Sequence, residues 1–110
     1  DYVKGMWLML QHNKADDYLL STGKTTSVRE FVEKAFEYAG TTIKWEGEGL
    51  NEVGRDIDGV IRIKINSKYF RPSEVDFLLG LSVKAEKELG WKREYTLNDI
   101  IKDMFDNCIF

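Results

Sequence analysis

A chain of 110 residues is one domain's worth of polypeptide, and its 43% hydrophobic and 13% aromatic residues supply enough apolar material for a core. Lys+Arg 16 against Asp+Glu 19 leave a formal net charge of −3, which argues against nucleic acid or an anionic membrane as partner, since both need a basic patch. Cys108, the lone cysteine, excludes an internal disulfide framework and a multi-cysteine metal site. No apolar run reaches the roughly 18 residues of a membrane-spanning helix, and no signal peptide is visible. A soluble protein of a reducing compartment is expected.

The opening run DYVKGMWLMLQ places Val3, Met6, Trp7 and Leu10 at helical spacing, and Leu8 and Met9 carry apolar surface onto neighbouring faces. A helix apolar nearly all round belongs between two layers. With Asp1 and no initiator Met at its start, this helix predicts a partner domain upstream, outside the chain. Tyr18–Ser21 reads as a short strand closed by Thr22 and Gly23. Ser27 and Glu30 form a capping box for a helix whose core face is Val28, Phe31, Val32, Ala35 and Phe36, with Gly40 as its C-terminal stop.

Two alternating runs follow. In 42–46, Ile43 and Trp45 share a face; in 60–65, Ile61, Ile63 and Ile65 do, with Arg62 and Lys64 opposite. They are expected to pair, charged faces outward, with Glu46 opposite a basic residue. The intervening 47–59, with four glycines and five charged residues, reads as a loop too polar to be buried. Within it Asp56, Asp58 and Gly59 match a fragment of a calcium loop, but the other ligand positions and the closing Glu are absent. Val83–Leu89 predicts a short helix ended by Gly90, with Trp91 folded back onto the core. Thr96 and Asp99 open the last helix, whose stripe is Leu97, Ile100, Ile101, Met104, Phe105 and Cys108.

The search for catalytic motifs returns negatives. Tyr2, Tyr18, Tyr38, Tyr69 and Tyr95 are followed four places later by Met6, Thr22, Thr42, Ser73 and Asp99, so the Tyr-x-x-x-Lys pair of short-chain dehydrogenases is absent. Gly47 and Gly49 are followed by Glu52 where a Gly-x-Gly-x-x-Gly turn needs its third glycine, and no phosphate-loop lysine occurs. His12, the only histidine, reads as a helix C-terminal residue favoured by the dipole. Cys108 reads as a small hydrophobe on an apolar stripe. No metal site and no catalytic group are expected in this chain.

The segment SKYFRPSEVDFLLG, residues 67–80, differs. Pro72 forces Arg71 into extended backbone and reduces its freedom. A guanidinium held this way matches the oxygens of a diphosphate, and Glu74 three places on suits the two hydroxyls of a ribose. The same spacing also fits an ordinary Arg71–Glu74 ion pair at a chain turn, and spacing alone leaves both readings open.

The succession DYVKGMWLMLQ, LLSTG, SVREFVEKAF, WEG…NEVGR, KYFRPSEVDFLLG, KAEKELGW and TLNDIIKDM resembles the C-terminal part of the GDP-mannose 4,6-dehydratases, from end to end and with the same spacing. The NEVGR and YFRP-S-E-VD-LLG blocks separate that family from its epimerase relatives. The resemblance implies an α/β enzyme (α+β for this piece alone) of the extended short-chain dehydrogenase class. Residues 1–110 would be one substrate-binding lobe, helices packed on a small sheet, with the helix over 1–12 packed on a Rossmann domain that lies outside the chain.

By the same resemblance the whole enzyme converts GDP-mannose to GDP-4-keto-6-deoxymannose on the route to GDP-fucose. NADP, bound by the upstream domain, would take hydride from C4 and return it to C6 as water leaves. A cytoplasmic homo-oligomer is implied. Arg71 carries over as a diphosphate contact and Glu74 as a ribose-facing acid. The chain departs from the family in reading LLGLSVKA where LLGDPTKA is usual, and in placing Arg93 after Lys92 where proline is usual. Ser82 is expected to cap the helix in place of the missing acid. Two alternatives stay open on the residues: another GDP-sugar reductase or epimerase sharing this lobe, and a non-catalytic interaction module that docks through its first helix.

Overall fold

The computed structural model describes residues 1–75 and 77–108. Among the described residues, four α-helices and three strands form: α1 (Tyr2–Gln11), α2 (Val28–Tyr38), β1 (Lys44–Glu46), β2 (Val53–Arg55), β3 (Ile61–Lys64), α3 (Val83–Leu89) and α4 (Leu97–Asp106). The strands make one antiparallel sheet in the order β1-β2-β3. Helix α1 packs on α3, and α2 on α4.

The helices start and stop where their caps dictate. Ser27 Oγ accepts from Glu30 N at 3.0 Å, which is one half of the expected box. The complete box is at α4, where Asp99 Oδ2 accepts from Thr96 N at 2.8 Å and Thr96 Oγ1 accepts from Asp99 N. The Thr96 hydroxyl also donates to Asp99 Oδ2 at 2.5 Å, and this bond first, then that from Thr96 N, holds the Asp99 carboxyl below the ordinary aspartate value. Gly90 closes α3 at φ +65°, in the left-handed region. Ser82 precedes α3 but does not cap it: its hydroxyl donates to Glu86 Oε1 at 2.6 Å instead.

Residues 47–59 correct the sequence reading most. They are no simple loop, because β2 lies within them and separates β1 from β3, which do not pair directly. Gly54 is buried opposite Trp45 and Ile63. A Cβ built there would lie 2.9 Å from Ile43 Cγ2 and 3.0 Å from Ile63 Cδ1, so only glycine lets the two isoleucines close over the strand. Three of the five charges that made the run look loop-like, on Glu52, Arg55 and Asp56, are paired. Arg55 Nε donates to Glu46 Oε2 at 2.8 Å, giving Glu46 its basic neighbour from β2. Arg29, stacked 4.4 Å from the Trp45 ring centroid, bridges to Glu52.

Asp56 has a structural task in place of a cation. It is only 5% exposed, and its carboxylate accepts from Asp58 N at 3.0 Å, Val60 N at 2.9 Å and Arg62 Nε at 2.7 Å. These bonds close the β2–β3 turn and hold the carboxyl below its ordinary value, the Arg62 guanidinium first. Because the folded-state value lies below the unfolded one, this contribution to stability is present above about pH 4 and is lost as pH falls through the folded value. Asp56→Asn is therefore expected to lower the urea midpoint at pH 7 and to flatten its decline between pH 5 and 2. An unchanged midpoint at pH 7 would contradict the assignment.

Tyr18–Ser21 is not a strand: among the described residues it has no strand to pair with. It runs between other elements. Leu20 packs on Gly5 of α1, where a Cβ would come 2.5 Å from Leu20 Cδ1 and 3.0 Å from Trp91 Nε1. Trp91 folds back as expected, 1% exposed, donating from Nε1 to Asp1 O at 2.8 Å and stacking on Tyr2.

The core is smaller than the composition suggests. Its buried hydrophobic residues among those described are Ile43, Ala85, Trp91 and Ile101, and the radius of gyration is 18.3 Å against about 13 Å for a compact domain of this length. On α2, Val32, Ala35 and Phe36 are half-buried while Val28 and Phe31 are exposed. On α4, Ile100, Met104 and Phe105 are exposed and Ile101 alone is buried; Cys108 lies beyond the helix end and is exposed too. Helix α1 has two faces, as its composition requires. Gly5 is buried, Leu8 and Met9 are half-buried, and Val3, Met6, Trp7 and Leu10 form an exposed apolar stripe at i, i+3, i+4, i+7 spacing.

Candidate functional site

Arg71 and Glu74 sit on the long connection between β3 and α3. A turn at Asn66 begins it: Asn66 Oδ1 accepts from Lys68 N at 2.9 Å, and Asn66 O accepts from Tyr69 N and Phe70 N at 3.0 and 3.1 Å. Beyond Phe70 the described residues make no backbone–backbone hydrogen bond until Ser82 O receives Glu86 N. Pro72, which has no N–H to donate and restrains its neighbour, suits such a run.

Arg71 Nη1 lies 3.7 Å from Glu74 Oε1, and the two side chains are 76% and 61% exposed. The structure thus brings the two sequence-selected residues together. At this distance and exposure the ion pair contributes little, and among the described residues the Arg71 guanidinium makes no hydrogen bond. Its side chain is exposed to solvent, as are those of Tyr69, Val75, Phe77 and Leu78 along the same connection. An arginine with open donors beside a carboxylate, among exposed apolar groups, can hold an anion and a polyhydroxyl group side by side.

Two contacts tie the far end of this connection to the segment before α2. Thr25 Oγ1 donates to Leu78 O at 2.7 Å. Gly80 lies so close to Ser21 that a Cβ there would come 2.7 Å from Ser21 Cβ. Sequence reasoning singled out neither contact, since a hydroxyl reaching a main-chain carbonyl 53 residues away leaves no pattern to read.

A cleft of about 550 Å³ is lined by Tyr2, Trp91, Arg93, Tyr95 and Ile100 with several acids, and neither Arg71 nor Glu74 reaches it. Its polar groups are occupied. The Asp1 carboxylate accepts from Glu94 N and Tyr95 N, Arg93 donates to Thr22 O, and Lys102 bridges to Asp106. His12 Nδ1 lies 3.0 Å from the Lys14 carbonyl at the end of α1. Among the described residues no group of His, Cys, Asp and Glu is placed to hold a metal ion, and no helix is long and apolar enough to cross a membrane.

Comparison with known proteins agrees with the sequence blocks. The family model described as GDP-mannose 4,6 dehydratase matches residues 1–104. A "GDP-mannose 4,6-dehydratase" of Sinorhizobium fredii is 50% identical over 105 residues, covering 94% of this chain and 30% of the relative. "GDP-mannose 4,6 dehydratase" of Drosophila melanogaster is 49% identical over 105 residues, and "GDP-mannose 4,6 dehydratase 2" of Caenorhabditis elegans 48% over 104, each match covering 94% of this chain and 27% of the relative. The chain thus spans less than a third of the length of these relatives. A match running through both the NEVGR block of β2 and the Arg71–Glu74 connection shows that the chain belongs to the GDP-mannose 4,6 dehydratase family.

Proposed function

We propose that these residues form the part of a GDP-mannose 4,6-dehydratase that grips the nucleotide of its substrate, Arg71 on the diphosphate and Glu74 on the ribose. The observation that carries the reading is the exposed Arg71–Glu74 pair, 3.7 Å apart and, among the described residues, engaged by nothing stronger than each other, within a match that spans residues 1–104. A guanidinium offers planar paired donors to phosphate oxygens. The Glu74 carboxylate accepts from ribose hydroxyls, and separating so weak an ion pair costs little.

The whole protein is proposed to act on GDP-mannose, as the names of its relatives state, in the cytoplasm and as a homo-oligomer. NADP is proposed as its cofactor, held outside these residues. Gly47 and Gly49 lead into a 3-10 turn over Gly49–Asn51 and then into β2, not from a strand into a helix N-terminus, so they make no dinucleotide cradle. No step of the hydride chemistry is assigned to residues here. The exposed stripe of Val3, Met6, Trp7 and Leu10 is proposed to pack on the dinucleotide-binding domain, giving α1 its second layer.

The test is turnover. The longest natural product of the gene, incubated with GDP-mannose and NADP, is expected to yield a sugar nucleotide lighter by one water in mass spectrometry. Recovery of unchanged GDP-mannose from a folded protein that binds both ligands would contradict the proposal.

A further inference from the structure

We propose that Thr25 and Gly80 act as positioning residues: together they form the anchor that fixes where Arg71 and Glu74 stand. The proposal rests on the reading of that pair as substrate contacts. The connection carrying them is pinned at its start by the Asn66 turn and then makes no backbone–backbone bond among the described residues up to α3. Among its described residues the large apolar side chains do not pin it either, since Tyr69, Val75, Phe77, Leu78 and Leu81 are all exposed. Among the described residues, the contacts that return it to the body of the fold are the Thr25 hydroxyl on Leu78 O at 2.7 Å and the close seat of Gly80 on Ser21.

A short tether sets the scale. Glu74 is four residues from Leu78, a reach of at most roughly 14 Å, but eight from Ser82, a reach of roughly 28 Å. Releasing the anchor therefore doubles the length of chain that tethers Glu74 on its C-terminal side, and leaves Arg71 and Glu74 held chiefly by the Asn66 turn, one and four residues beyond Phe70. Holding two contact groups in place before the ligand arrives lowers the ordering cost of binding. Gly80 is part of the device because any side chain there would push against Ser21 and lift the connection off its seat.

The experiment is steady-state kinetics on the longest natural product of the gene, comparing Thr25→Val, Thr25→Ser, Arg71→Ala and the Thr25→Val/Arg71→Ala pair. Thr25→Val keeps the shape and removes the donor. It is expected to raise the KM for GDP-mannose about two- to tenfold, the range for one lost hydrogen bond, with kcat within twofold and the KM for NADP unchanged. Thr25→Ser should restore the wild-type KM, and Thr25→Val should add nothing once Arg71 is alanine. A Thr25→Val enzyme with unchanged KM, beside an Arg71→Ala enzyme with raised KM, overturns the anchor alone. Loss of Tm, kcat and both KM values together in Thr25→Val also overturns it, since that marks a general structural role. An Arg71→Ala enzyme with wild-type KM overturns the substrate reading, and the anchor with it.

Discussion

Trp91→Ala is expected to destabilise this part of the protein by about 3–5 kcal/mol, the range for removing a large buried aromatic side chain. Trp91 is the largest fully buried side chain here, and several elements depend on it. Its indole N–H is bonded to Asp1 O at 2.8 Å, its ring stacks on Tyr2, and it lies against Gly5, which Leu20 also covers. Its own main-chain N–H is bonded to Ala85 O in α3. Removing the ring leaves a void between α1, α3 and the 18–22 segment, with few other buried side chains to close it. Trp91→Phe keeps most of the volume and loses the N–H bond, so it should cost less, about 0.5–1.5 kcal/mol for that bond. Urea denaturation of the three proteins checks this; equal midpoints for Trp91→Ala and wild type would place the packing of α1 elsewhere.

Arg71→Ala is expected to weaken GDP-mannose binding by about 1.5–3 kcal/mol, the range for hydrogen bonds to charged groups, or roughly ten- to 150-fold in Kd. The loss should fall on GDP-mannose and spare NADP, because no residue of this connection is proposed near the cofactor. Stability should hardly change, since the side chain is 76% exposed and its ion pair is long. Glu74→Gln should cost less than Arg71→Ala, since an amide oxygen still accepts from a ribose hydroxyl.

Much of the fold is legible in the sequence. Helices α2 and α4 announce themselves because a 3.6-residue apolar period and a capping side chain coincide at Ser27 and Thr96. Trp91 is legible because Gly90 marks a left-handed stop and leaves an aromatic residue with nowhere polar to go. Strand β2 is not, because its features contradict a strand when read locally. Gly54 has no side chain to pattern, and Glu52 and Arg55 look solvated until Arg29 and Glu46 are placed beside them. The error at Tyr18–Ser21 is the converse: a run of strand-forming residues needs a neighbouring strand, and sequence alone does not supply one. Arg71 and Glu74 stand out by the chemistry of their side chains and by the family resemblance. The 3.7 Å separation places them together, and binding measurements decide their ligand.

Every role proposed for the connection between β3 and α3 rests on Arg71 meeting the diphosphate of GDP-mannose. The measurement that reaches this most directly is calorimetric titration of GDP-mannose, and separately of NADP, into the longest natural product of the gene and into its Arg71→Ala variant. The expected result is a Kd for GDP-mannose raised roughly ten- to 150-fold in the variant, with the Kd for NADP unaltered. Equal GDP-mannose affinity in the two proteins, both folded and both binding NADP, would contradict it.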